Sequence, residues 1–203
     1  MINISAVQPL WHGVSEIAPI AYHILNQRVL SFDVGIKHMS LCLVDFSSAY
    51  CIRKWKTFPL GGKSIGDVTC SLINALRNED VGIVDHVLIE QQVERNIQMK
   101  VLSHVLQTFY ICESKVPPLN IHFIPPKNRF QSTNMKYNET VMNIKKKMEL
   151  SSHISRKEFK QLSVEVCREV VPAEWKPFFE NTVKKDDLSD CFLQFYTWYF
   201  TQN

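Results

Sequence analysis

Glycine is scarce in this chain, six in 203 residues, and that scarcity disfavours the nucleotide-binding folds built on glycine-rich phosphate loops. The nearest approach, Gly61-Gly62-Lys63-Ser64, has the ending of a P-loop, but the full pattern needs glycine where Thr57 stands. The six cysteines never fall at C-x-x-C spacing, and the seven histidines form neither an HExxH pair nor a Cys/His cluster. A zinc site of the usual spacing is therefore not expected, and reduced thiols of an intracellular protein are. No lysine or arginine precedes Arg28, so the start lacks the basic character of a signal or transit peptide. The longest apolar run there, Ile17 to Leu25, is too short for a bilayer and contains His23. No membrane partner and no nucleotide cofactor are expected. No long Gly/Ser-rich or Pro-rich stretch divides the chain, which has no internal repeat. One domain is expected over 28–203, after an N-terminal extension over 1–27.

What is present is enough apolar material for one core, 45% of the residues. The net charge of +3 is mild but unevenly spread. Between Lys127 and Lys160 stand nine lysines and arginines against three glutamates. Segregated positive charge favours a phosphate backbone, through counterion release. A solvated helix face carrying Lys145, Lys146 and Lys147 explains the same charges.

Three β-rich runs, Arg28–Asp33, Met39–Phe46 and Tyr50–Phe58, joined by short connections, predict an antiparallel meander. Between Ser64 and Arg77, apolar residues at Ile65, Val68, Leu72, Ile73 and Leu76 predict a helix. A buried strand Val84–Glu90, a helix Gln98–Cys112 and a strand Asn120–Ile124 follow, the last stopped by Pro125-Pro126. Helices are expected over Phe159–Val170 and Asp187–Phe200, the latter amphipathic with Leu188, Phe192, Phe195, Tyr196 and Tyr199 on one face. That order predicts an α/β, RNase H-like domain: a mixed five-stranded sheet flanked by helices on both faces.

Asp33 closes an apolar strand beside Gly35, where a ligand could approach closely, and Glu90 closes another. Asp187 and Asp190, three apart, share a helix face, as Asp186 and Asp190 would four apart, so the choice between Asp186 and Asp187 stays open. Oxygen ligands of this kind hold divalent metals for phosphodiester hydrolysis. Each has a plainer reading: Asp33 as a turn former, Glu90 as an exposed strand end, Asp186 or Asp187 as a helix cap. A cap explains one aspartate, not three.

Four segments, Leu30–Lys37, Leu88–Gln92, Arg156–Glu165 and Lys184–Phe192, resemble RuvC-type Holliday junction resolvases, most closely the form of poxviruses and related large DNA viruses. The D-D-x-x-D ending after two lysines is the most specific of them. The resemblance implies a homodimeric endonuclease that makes paired symmetric nicks across four-way (branched) DNA junctions with Mg²⁺, or Mn²⁺ as substitute, two ions per site. Asp33, Glu90, Asp187 and Asp190 would bind metal, and Lys160 or Lys157 would touch the scissile phosphate. Lys127, Arg129, Arg156, Lys157, Lys184 and Lys185 would meet DNA. The helix from Gln98 to Cys112 would lie between subunits. A viral chain of this kind would work in the host cytoplasm, in a viral factory, or in the virion. An actin-like ATPase shares the D-x-G start but needs further glycine-rich loops, and a non-catalytic branched-DNA-binding module should have lost a carboxylate.

Overall fold

The computed structural model describes residues 27–202, apart from 48, 127, 129–141, 143–145 and 147–154. Of the extension expected over 1–27, residues 1–26 lie outside them, and Gln27 belongs to the sheet rather than to an extension. Strands β1 (Gln27–Asp33), β2 (His38–Phe46) and β3 (Tyr50–Pro59) form the antiparallel meander. Strands β4 (His86–Glu90) and β5 (Ile121–Ile124) add parallel to β1, giving the order β3-β2-β1-β4-β5. The mixed five-stranded sheet expected from the element order is the sheet observed. Central β1 is covered on both faces, with Val29, Leu30, Ser31 and Phe32 fully buried.

Because strand side chains alternate, the sheet supports two cores. Leu30, Phe32, Val87 and Ile89 face helices α1 (Ile65–Asn78) and α2 (Ile97–Cys112). Val29, Cys42, Val44 and Leu88 face α3 (Arg156–Val170), α4 (Lys176–Asn181) and α5 (Lys185–Gln202). No helix among the described residues is long and apolar enough to cross a membrane.

Both α1 and α3 start at serine caps. Ser64 and Asp67 form one capping box, Ser155 and Glu158 the other, each pairing side chain and backbone reciprocally. The first disposes of the phosphate-loop likeness, since Asp67 Oδ2 accepts from the backbone N–H of Lys63 and Ser64 at 3.1 and 3.0 Å. A carboxylate of the chain holds the amides that a phosphate would need.

Two elements differ from expectation. The short α4 opens on Pro177 in its first turn and is too brief to show a period. Helix α5 is enclosed rather than amphipathic, with every residue from Cys191 to Tyr199 buried, Gln194 and Thr197 included. The sheet lies on one side and α3 packs on another.

Candidate active site

Asp33 and Glu90 meet by register. Phe32 pairs with Ile89 in the parallel β1–β4 ladder, so the next residues, Asp33 and Glu90, end neighbouring strands on the same face. That face is the one covered by α5, because Asp33 follows the alternation of Val29 and Ser31. Gly35 serves the turn after Asp33 rather than a ligand: a Cβ there would lie 2.1 Å from the His38 carbonyl oxygen. The close approach read from the sequence is made by the chain's own backbone. Glu90 Oε2 accepts a 3.0 Å hydrogen bond from the Gln92 side-chain amide.

Helix α5 runs antiparallel to β1 and β4. Its Trp198 packs on His86 at the start of β4, with ring centroids 5.0 Å apart, while Gln194 reaches the end of β1. The Gln194 amide donates to Ser31 Oγ at 3.0 Å and to the Phe32 carbonyl at 3.4 Å. Asp190 lies one turn before Gln194 and Asp187 three residues earlier, so the N-terminal turns of α5 arrive where β1 and β4 end. Burial raises the pKa of Cys191, which adjoins Asp190, and the charges of Cys42 and then Asp33 raise it further. His38, the first residue of β2, acts electrostatically on Asp187.

Lys160, half-buried on the first turns of α3, bonds to Asp186 and stands 3.8 Å from Asp187 Oδ1. Burial pushes the Lys160 pKa down, but the bond to Asp186 and the charges of Asp186, Asp187 and Asp190 outweigh it and leave it raised. Asp186 is held below the usual carboxylate range: its burial opposes this, and the Lys160 bond prevails. Asp187 is pushed up, by burial and then by Asp186 beside it, more than Lys160, Lys184 and His38 pull it down. Two neighbouring aspartates thus divide one lysine unequally, and the protein charges itself for burying both.

Arg156, Lys157 and Lys184 are exposed, while Lys185 donates to the Thr182 carbonyl at 3.0 Å. Lys127 and Arg129 lie outside the described residues. Among the described residues no three His, Cys, Asp or Glu side chains stand together closely enough to hold a metal ion. The four carboxylates thus lie toward the ends of β1 and β4 without closing on a common point. Gln194 was missed from sequence, although its four-residue spacing from Asp190 was a signal available there.

The strand order, with helices on both faces of the sheet, gives the chain an RNase H-like fold of the RuvC type. The solved structures it is similar to include the fowlpox virus Holliday junction resolvase, at 13% identity and TM-score 0.58, with 87% of this chain and 100% of that one covered. The complex of fowlpox virus resolvase with substrate Holliday junction DNA matches at 15% identity and TM-score 0.57, covering 85% and 98%. RuvC of Thermus thermophilus matches at 12% identity and TM-score 0.49, covering 87% and 97%. No family model matches the chain, and no curated protein matches its sequence. The fold that the resemblance implied is the fold observed, shared with the fowlpox virus resolvase structures.

Proposed function

We propose that this chain is a structure-selective DNA endonuclease that resolves four-way junctions by paired symmetric nicks. One observation carries the reading: Asp33 and Glu90 at adjacent parallel strand ends are met by the N-terminal turns of α5, bearing Asp187 and Asp190, with Lys160 beside them. The fold it shares with resolvases, one of them solved on junction DNA, supports it.

The donor set is all oxygen, which suits a hard divalent ion, and burial together with the neighbouring Asp186 raises the Asp187 pKa. Asp33, Glu90, Asp187 and Asp190 would hold Mg²⁺, or Mn²⁺ in its place, at two ions per site. Bound there, the ions would neutralise the scissile phosphate and ionise the attacking water. Lys160, drawn to the aspartates in this structure, would turn its ammonium to the phosphate and stabilise charge developing in the transition state. Lys157, one turn earlier and exposed, would lie along the backbone with Arg156 and Lys184. Lys127, Arg129 and Lys185 complete the proposed DNA contacts. A viral chain would do this in the host cytoplasm or the virion.

The test is cleavage of a synthetic four-way junction, a linear duplex and a flap with Mn²⁺ or Mg²⁺. Symmetric nicks confined to branched substrates are expected. Asp33→Asn and Asp190→Asn should each lower the rate by about a hundredfold or more while a gel-shift assay still finds the junction bound. Unchanged cleavage by both variants would end the reading.

A further inference from the structure

Between α3, which carries Lys160, and α5, which carries Asp187 and Asp190, the chain passes through a 3₁₀ turn at Ala173–Trp175 and through α4. The inner side of this segment is anchored. Phe179 stacks on Trp55 with centroids 5.4 Å apart and planes 3° from parallel, and the Trp55 indole N–H donates to the Leu188 carbonyl at 3.0 Å. The outer side is apolar and uncovered among the described residues: Phe178 is 40% exposed and Val183 94%.

The Phe178 ring is held, and hydrogen bonds fix the backbone on either side of the exposed Val183. The Phe178 ring stands edge-on to Trp175 at 5.5 Å and tilted to Trp55 at 6.0 Å. The Thr182 hydroxyl donates to the Phe178 carbonyl at 2.9 Å, and Lys185 Nζ donates to the Thr182 carbonyl at 3.0 Å. Leu188 N–H donates to the Lys184 carbonyl at 3.3 Å, so Val183 stands just outside the first turn of α5, the turn that carries Asp187. Lys176 and Lys184 are exposed on the same segment. Of its two glutamates, Glu180 is bonded to Arg168 at 2.7 Å and also lies within the field of Lys176, and Glu174 stands on the same segment.

We propose that Phe178 and Val183 form an apolar wedge that meets unstacked bases at the centre of a DNA branch, while Lys176 and Lys184 take the flanking phosphates. The inference rests on the junction-resolving reading above and assigns branch selectivity to a segment outside the carboxylate site. An intact duplex stacks every base and offers such side chains no apolar partner, whereas a branch point exposes base faces. The wedge therefore contributes to branched DNA alone, and the lysines contribute to any DNA.

Fluorescence anisotropy without divalent cations, on a labelled four-way junction and a duplex of equal length, separates these contributions. Val183→Asn alters an exposed side chain, and Phe178→Leu keeps apolar volume against Trp55 while removing the ring. The double variant should lose roughly tenfold of the junction-over-duplex preference with duplex affinity unchanged. It should also lose the fluorescence change of a 2-aminopurine placed at the branch. Lys176→Ala with Lys184→Ala should weaken both substrates and lower the salt dependence. A wild-type protein that prefers junctions, joined with a double variant that prefers them as strongly, overturns the wedge alone. A wild-type protein without that preference overturns the junction reading, and the wedge with it.

Discussion

His86 and His122 stand on neighbouring strands with Nδ1 of the first 3.4 Å from Nε2 of the second, and both rings pack on Trp198 at 5.0 and 5.5 Å. Burial lowers the His86 pKa, His122 lowers it further and Asp85 opposes them. Burial alone lowers that of His122. In the unfolded chain each titrates near the ordinary 6.5. Below that pH the unfolded state takes up protons that the folded state still refuses, so stability is full above about 6.5 and declines as the pH falls toward the lowered folded values. The melting temperature should drop between about pH 7 and 5, and His122→Gln should flatten that slope. A slope unaltered by the substitution would count against the pair as its source. Asp45 and Glu79 act in a separate, more acidic window. Burial opposes their ionisation, but Arg28 and Arg53 on the one, and Lys56 and Lys54 on the other, hold both below the ordinary carboxylate range. Their stabilisation is present above that range and is lost as the pH falls through the lowered values.

At the scale of elements, the decisive joint is between α5 and β1. Gln194 is 1% exposed, and its amide spans Ser31 Oγ and the Phe32 carbonyl, one residue from Asp33. Gln194→Leu keeps the volume but leaves buried polar atoms of β1 without that donor, a cost of about 1–3 kcal/mol. It should lower the melting temperature and, because α5 carries Asp187 and Asp190, lower cleavage more than junction binding. Equal losses in both would mean that α5 does not set the site. The strands were legible as short β-rich runs, β1 and β4 being apolar without alternation because both sheet faces are covered, and α1 was legible by its spacing of three and four. Register then follows from topology, and with it the pairing of Asp33 with Glu90. The enclosure of α5 was not legible, since Ser189, Gln194 and Thr197 read as a wet face, yet all are buried. Gly35 was misread for a related reason: a sequence shows that a Cβ is missing but not which atom fills its place. Glu158, which interrupts the basic run before Lys160, is accounted for by the capping box with Ser155.

For the whole molecule, the question is how one active site could cut two strands. A four-way junction has two-fold symmetry, so paired cuts require two sites fixed by one rotation axis. The surface best suited to a second copy of this chain is the outer side of α2. Leu102, Leu106 and Tyr110 are buried against the sheet, but Ile97 is 71% and Val101 39% exposed. They border a hollow of about 550 Å³ whose lining includes Ile73, Val105 and Phe109. A helix that spends one apolar stripe on its own core and presents another outward suits an isologous contact. The candidate site lies on the opposite, α3–α5 face at the strand ends, so such a contact would leave both sites open to DNA. Sedimentation equilibrium at micromolar concentration should therefore find a dimer, and Val101→Glu should shift it toward monomer without lowering the melting temperature of the monomer's own core. On a cruciform plasmid, where paired nicks linearise and single nicks relax, the wild-type protein should yield linear DNA and Val101→Glu relaxed circles. Linear product from a monomeric variant would show that the two cuts do not need two copies held together.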